Sequence, residues 1–183
     1  MQERLRPLPS QIERLLREVV ASPRLVAHLT LVYDVAATIL ERLTETWPTL
    51  SIDKAAVIFG AATHDIGKAV NRDELGGAGE QHRDSGYDLL IAHGIPALYA
   101  RFTRTHARQD DPDATLEDLL VAWADSLWCG GRPEDVEMRI ARTIARVVGQ
   151  ELWRVFIVLD DLATDIGEDA DARLFWQGMQ PAE

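Results

Sequence analysis

A chain of 183 residues with 46% hydrophobic content is long enough to bury a sizeable core and too apolar for intrinsic disorder. Its 19 Lys+Arg stand against 30 Asp+Glu, a net charge of -11, which repels nucleic-acid phosphates and anionic membranes within a Debye length. A small substrate in a local basic pocket is therefore expected, rather than a nucleic-acid polymer or a membrane surface. Cys129 is the sole cysteine, which excludes an internal disulfide and a thiolate zinc cluster. The N-terminal residues Met1-Gln-Glu-Arg-Leu-Arg are charged and lack the apolar core of a signal peptide. No uninterrupted apolar run approaches the roughly 20 residues of a bilayer span, so the expectation is a soluble, cytoplasmic chain, with homo-oligomerisation left open.

The pattern is helical nearly throughout, which predicts an all-α fold, a helical bundle in a single domain over residues 1–183. Residues 1–22 read as an N-terminal helix, opened by the capping-box pattern Ser10-x-x-Glu13 and ending near Ala21. Pro23 suits the first turn of a second helix, where His28, Val32, Val35, Ile39 and Leu43 recur at three and four residues. Pro48 stops it. Asp53 can cap a third helix through Ile58 to about His64, and Gly67 marks the turn beyond. Gly76-Gly77-Ala78-Gly79 reads as a flexible loop, followed by a helix from about Glu80 to Ala92 that Gly94 ends. Another helix begins near Pro96 and carries Leu98, Phe102 and His106, and the stretch Gln109 to Ala114 is a polar loop. Thr115 caps a helix from Leu116 to Trp128, which Gly130-Gly131 ends. This closes a core over residues 24–132. Pro133 begins C-terminal helices over residues 133–180, broken near Gly149 or Gly167.

Within this pattern the dipeptide His64-Asp65 closes the apolar segment Ala55 to Ala62. An imidazole and a carboxylate at the end of a buried helix are costly unless something satisfies them. A divalent cation does so, since imidazole nitrogen and carboxylate oxygen are among its usual ligands. His28 lies on the apolar stripe of the second helix. Taken alone, such a histidine is a core residue with one hydrogen bond. Asp125 sits among Leu119-Leu120-Val121-Ala122-Trp123-Ala124 and Ser126-Leu127-Trp128, where a solvated-face reading fits poorly. Three polar sites on three separate apolar helices point to a shared ligand.

In this order and spacing, the chain resembles the HD-domain metal-dependent phosphohydrolase superfamily. His64-Asp65-Ile66-Gly67-Lys68 is similar to a common form of its signature, His28 with Val32 and Ala36 to its opening helix, and Ala124-Asp125-Ser126-Leu127 to its closing one. The resemblance covers roughly residues 24 to 132 and implies an HD-type bundle with a metal site between helices. By similarity, His28, His64, Asp65 and Asp125 hold one divalent metal, and Asp65 bridges to a second held with His82 and His106. Read without the resemblance, His82 is a helix-start surface residue and His106 a helix-end cation favoured by the macrodipole. His93, just before Gly94, is left out of the site. Nitrogen and oxygen donors without thiolate suit one or two ions of Mn, Fe, Co, Ni or Zn, and less well Mg, with Mn or Fe favoured.

The implied reaction is hydrolysis of a small phosphorylated molecule, a nucleotide first, by water made acidic on the cation. Asp65 is the candidate to orient or deprotonate that water, and Lys68 to reach a non-bridging phosphate oxygen. Arg72, Arg83 and Arg132 are secondary phosphate contacts, Arg132 by curling back from the Gly130-Gly131 turn. The acidic run Asp160, Asp161, Asp165, Glu168, Asp169 and Asp171 is irregular in spacing and reads as a solvated face. Two alternatives stand beside hydrolysis: a di-iron oxygenase on the same scaffold, and a non-catalytic nucleotide-binding or signalling module. Fold membership does not fix the reaction. A His-His-Glu plus Gly-Tyr-Pro element does not follow the dipeptide, which disfavours cyclic-dinucleotide phosphodiesterases.

Overall fold

The structure, a computed structural model, describes residues 5–76, 79–108 and 110–182. Gly77 and Ala78 of the expected glycine loop, and Gln109 of the polar loop, lie outside the described residues. Among the described residues every regular element is helical: α1 (Ser10–Glu18), α2 (Pro23–Thr46), α3 (Lys54–Thr63), two 3-10 turns at Ile66–Ala69 and Arg72–Leu75, α4 (Gln81–Ala92), α5 (Ala97–Ala100), α6 (Phe102–Thr105), α7 (Leu116–Leu127), α8 (Glu134–Val148), α9 (Leu152–Gly167) and α10 (Ala170–Gly178).

Local chemistry accounts for most of these boundaries. The Ser22 hydroxyl accepts from the Leu25 amide at 3.3 Å and Pro23 fills the first helical turn of α2, where a missing N–H costs nothing. Asp53 accepts from the Ala56 amide at 2.9 Å to start α3. Thr115 and Asp118 form a reciprocal capping box at the head of α7. The box expected at Ser10 does not form. Ser10 is already helical, and the Ile12 and Glu13 amides both bond the Pro9 carbonyl, at 2.9 and 3.0 Å. The single helix expected after Pro96 is two short pieces that meet at Arg101. The C-terminal region breaks twice. Gly149, at φ 68°, closes α8 in the left-handed region, and a second turn follows Gly167.

Helix α2 is the axis of the bundle. Its 24 residues reach about 36 Å at 1.5 Å per residue, and it packs against α3, α7 and α10. By length and composition alone it is apolar enough to cross a membrane, yet it buries ten residues against its neighbours. Each Leu, Ile or Val so buried contributes roughly 1.5–3 kcal/mol. Its C-terminal stretch, from Leu31 to Leu43, joins α7, α8 and α9 in one apolar cluster. Its first turns, through Leu25 and Leu29, join α1, Ile66 and Leu90 in another. The division between the two clusters falls beside His28 on α2 and between Ala61 and Ala62 on α3, two residues before His64.

Candidate metal centre

Six donors converge from five elements. His28 comes from the second turn of α2, His64 and Asp65 from the end of α3, His82 from the first turn of α4, His106 from the end of α6, and Asp125 from the last turn of α7. The chain brings α4 onto this group through a close approach at Gly67. A Cβ there would collide with the His82 carbonyl and the Gly86 amide, so only glycine lets the 3-10 turn after Asp65 lie against α4. His64 is fully buried, and Asp65, His82 and His106 are nearly so.

Asp65 stands at the middle and divides the donors into two sets. Its Oδ2 faces His28 Nε2 at 3.2 Å and His64 Nε2 at 3.7 Å. Asp125 Oδ1 lies 3.4 Å from His28 Nε2 and 3.2 Å from His64 Nε2, and the two imidazole nitrogens are 3.2 Å apart. On the other side, Asp65 Oδ1 faces His82 Nε2 at 3.2 Å and His106 Nε2 at 3.6 Å. The ligand atoms of His28, His64 and Asp65 lie within 4.8 Å of one another, and so do those of Asp65, His82 and His106.

The protonation of these rings follows from their other nitrogen. His64 Nδ1 bonds the Ala61 carbonyl at 3.1 Å and His106 Nδ1 the Phe102 carbonyl at 2.9 Å. His82 Nδ1 bonds Glu74 Oε2 at 2.5 Å. Carbonyl and carboxylate oxygens only accept, so Nδ1 donates in all three and Nε2 is the nitrogen that faces the centre. Asp65 Oδ1 and His82 Nε2 are buried with no hydrogen-bond partner. Buried orphans cost about 1–3 kcal/mol each, and a cation removes that cost. The spacing agrees. Two donors about 2.1 Å from one ion stand roughly 3.0 Å apart at a right angle and about 3.4 Å apart in a tetrahedron, close to the observed edges. The residues fit a pair of divalent cations sharing the Asp65 carboxylate.

Electrostatics follow the same division. Burial opposes charge on His28, but hydrogen bonds with Asp125 and Asp65 outweigh it and raise its pKa to about 9. Burial likewise opposes ionised Asp65 and Asp125, yet the field of His64 and hydrogen bonds from His28 hold both well below the usual carboxylate range. His106 goes the other way: burial and the field of His64 lower it to about 4. His82 is raised, because Asp65 and Glu74 together overcome its burial.

The remaining sequence candidates divide sharply. Lys68 Nζ lies 2.5 Å from Asp65 Oδ2 and lines a cavity of about 160 Å³ with Arg24, His28, Asp65, Trp128 and Gln177. Arg72 is exposed and its Nε lies 3.5 Å from the Ala69 carbonyl. Arg83 sits half-buried beside Glu80 at 3.1 Å. Arg132 does not curl over the centre: its guanidinium is clamped by Glu137 at 2.7 and 2.9 Å and by Asp160 at 2.6 Å, tying the segment after α7 to α8 and α9. His93 caps α4 through the Leu89 carbonyl at 2.8 Å, away from the donors. A larger cavity of about 610 Å³ lies among α1, α2 and α10 and carries none of the six donors.

Three participants gave no sequence signal. Glu74 stands among the charged residues Arg72 and Asp73, with nothing to mark it. Arg24 and Gln177 reach the cavity from opposite ends of the chain. Trp128 is the exception that was readable, since it follows Asp125 by three residues and so shares its helix face. Its ring meets His28 edge-on, centroids 5.1 Å apart.

A family model, HD domain, matches residues 25–128, a span that carries all six donors. The chain belongs to the HD-domain family, which places it in a superfamily of metal-dependent hydrolases. No solved structure matches the chain.

Proposed function

We propose that this protein hydrolyses a phosphoric ester or anhydride of a small molecule, a nucleotide first, using two divalent cations. His28, His64, Asp65 and Asp125 would hold one cation, and Asp65, His82 and His106 the other, with manganese or iron the expected metals. The cations supply Lewis acidity toward a phosphoryl oxygen and make water acidic near neutral pH. Asp65 is then shared between them and holds the reacting centre in place, while its anionic charge is offset by Lys68.

The observation that carries this reading is the position of Lys68. Its ammonium, one turn beyond Asp65, borders the cavity that opens beside the centre. A lysine on the wall of a cavity beside the centre supplies positive charge for an anion, and phosphate is the anion that bound cations would polarise. Arg24 adds a second positive charge to the wall and Trp128 an aromatic face. At about 160 Å³ the cavity falls below the ~300–1,000 Å³ that encloses a drug-sized ligand. It suits the phosphate end of a substrate, with the organic part reaching toward Trp128 and Gln177.

The test is phosphate release from a panel of nucleotides and phosphate esters by manganese-loaded protein under argon. Release that survives the absence of dioxygen supports hydrolysis. Dioxygen consumption by iron-loaded protein, with no phosphate released from any member of the panel, contradicts it in favour of an oxygenase.

A further inference from the structure

The second cation site has a weakness that the first lacks. The first draws on four donors, whereas the second offers two imidazoles and one shared carboxylate oxygen. Of those two imidazoles, His106 is held by the carbonyl one turn behind it on its own short helix. His82 stands in the first turn of α4, and among the described residues its Nδ1 bonds a carboxylate rather than a carbonyl of a preceding turn. Its orientation must come from elsewhere.

It comes from Glu74. This carboxylate, on the 3-10 turn Arg72–Leu75, is buried at 6% exposure. Its Oε1 accepts the Gln81 amide at 3.1 Å, and its Oε2 accepts both the His82 amide at 3.0 Å and His82 Nδ1 at 2.5 Å. One side chain therefore caps the open amides at the head of α4 and fixes the His82 ring. The backbone leaves room for it: a Cβ at Gly79 would run into the Glu74 carboxyl group.

We infer that Glu74 is a positioning residue for the second cation, holding His82 with its proton on Nδ1 and its bare Nε2 beside Asp65 Oδ1. A neutral amide cannot accept from all three of these donors. Glu74 faces N–H donors at both oxygens, so a glutamine must turn its NH₂ against one of them. If that donor is His82 Nδ1, the ring takes the other tautomer and Nε2 becomes protonated, which blocks ligation. The inference rests on the two-cation reading but not on the reaction, and its test needs no substrate.

Zinc, being diamagnetic, is the probe. Nitrogen NMR of the zinc-loaded wild-type protein should show His82 protonated at Nδ1 and coordinated through Nε2. Calorimetric titration of metal-free wild type with zinc should show two equivalents. In Glu74→Gln the second should weaken by about 10- to 100-fold, the usual effect of losing such a partner, with the first unchanged. Glu74→Asp, which keeps the charge but shortens the reach, should fall between the two. Equal zinc binding in wild type and Glu74→Gln overturns the inference while leaving hydrolysis untouched. So does a His82 ring protonated at Nε2 in the wild-type protein, a result that needs no variant to fold. A single zinc equivalent in wild type overturns the two-cation reading beneath it.

Discussion

The donors on either side of Asp65 are held by different kinds of structure. On one side, His28 and Asp125 project from α2 and α7, two long helices whose other faces are locked in the main apolar cluster, and His64 ends a helix that is itself buried. On the other, His82 opens α4 and His106 closes a four-residue helix. Their rings are oriented by Glu74 and by a backbone carbonyl. The first set thus includes two donors carried on long core helices, whereas His82 of the second set depends on a side-chain hydrogen bond that a substitution can remove. Donor count points the same way, four against three, so the first site should fill at lower metal concentration.

The comparison can be broken most severely at its shared member. Asp65→Ala removes a donor from both sides at once, and should take bound metal from two equivalents to none. Phosphate release should fall by at least about 10³-fold, while circular dichroism shows helix content unchanged. Retained turnover would remove Asp65 from the mechanism. His82→Ala touches only the side held by hydrogen bonds. Stoichiometry should drop from two to one by metal analysis, with turnover lowered by about 10²-fold. Unchanged stoichiometry would mean that the second set of donors is wrongly assigned.

A milder change spares both metals. Lys68→Met should leave stoichiometry at two and lower kcat/KM by about 10- to 100-fold, the worth of a charge-assisted hydrogen bond. Steady-state kinetics beside metal analysis separates this from loss of a ligand. The last effect concerns protons. In the metal-free protein His28 keeps a proton up to about pH 9, so at pH 7 an entering cation must displace it. Affinity at the first site should therefore rise with pH toward 9, by up to about tenfold per unit. His106, lowered to about 4, is already neutral at pH 7 and contributes no such dependence. Calorimetry in buffers of different ionisation heat reads the difference, and a first equivalent that binds without releasing protons would contradict it.

How much of this was readable in the chain follows the same division. His28, His64, Asp65 and Asp125 were legible because each interrupts an apolar helical stripe, and a polar interruption of a buried face demands an explanation. The caps at Asp53 and Thr115 were legible too, since a short acceptor before an apolar run has one use there. Ser10 carries the same signal and misleads, because Pro9 already supplies a carbonyl to the first amides. Glu74 was not legible: an acid in a polar turn has no periodicity to violate, and its burial depends on how the turn folds against α4. Arg132 shows the converse. Its position after a glycine pair suggested the site, but the nearby carboxylates of Glu137 and Asp160 hold it, and Asp160 reaches it only through tertiary packing. His82 and His106 came from their order in the resemblance, and the hydrogen bonds that aim them are visible only in three dimensions.

Anomalous diffraction from crystals of manganese-loaded protein tests the central claim most directly. Two peaks are predicted, one among His28, His64, Asp65 and Asp125 and the other among Asp65, His82 and His106, with the Asp65 carboxylate between them. Peaks elsewhere, or none beside Asp65, would contradict a shared two-cation centre.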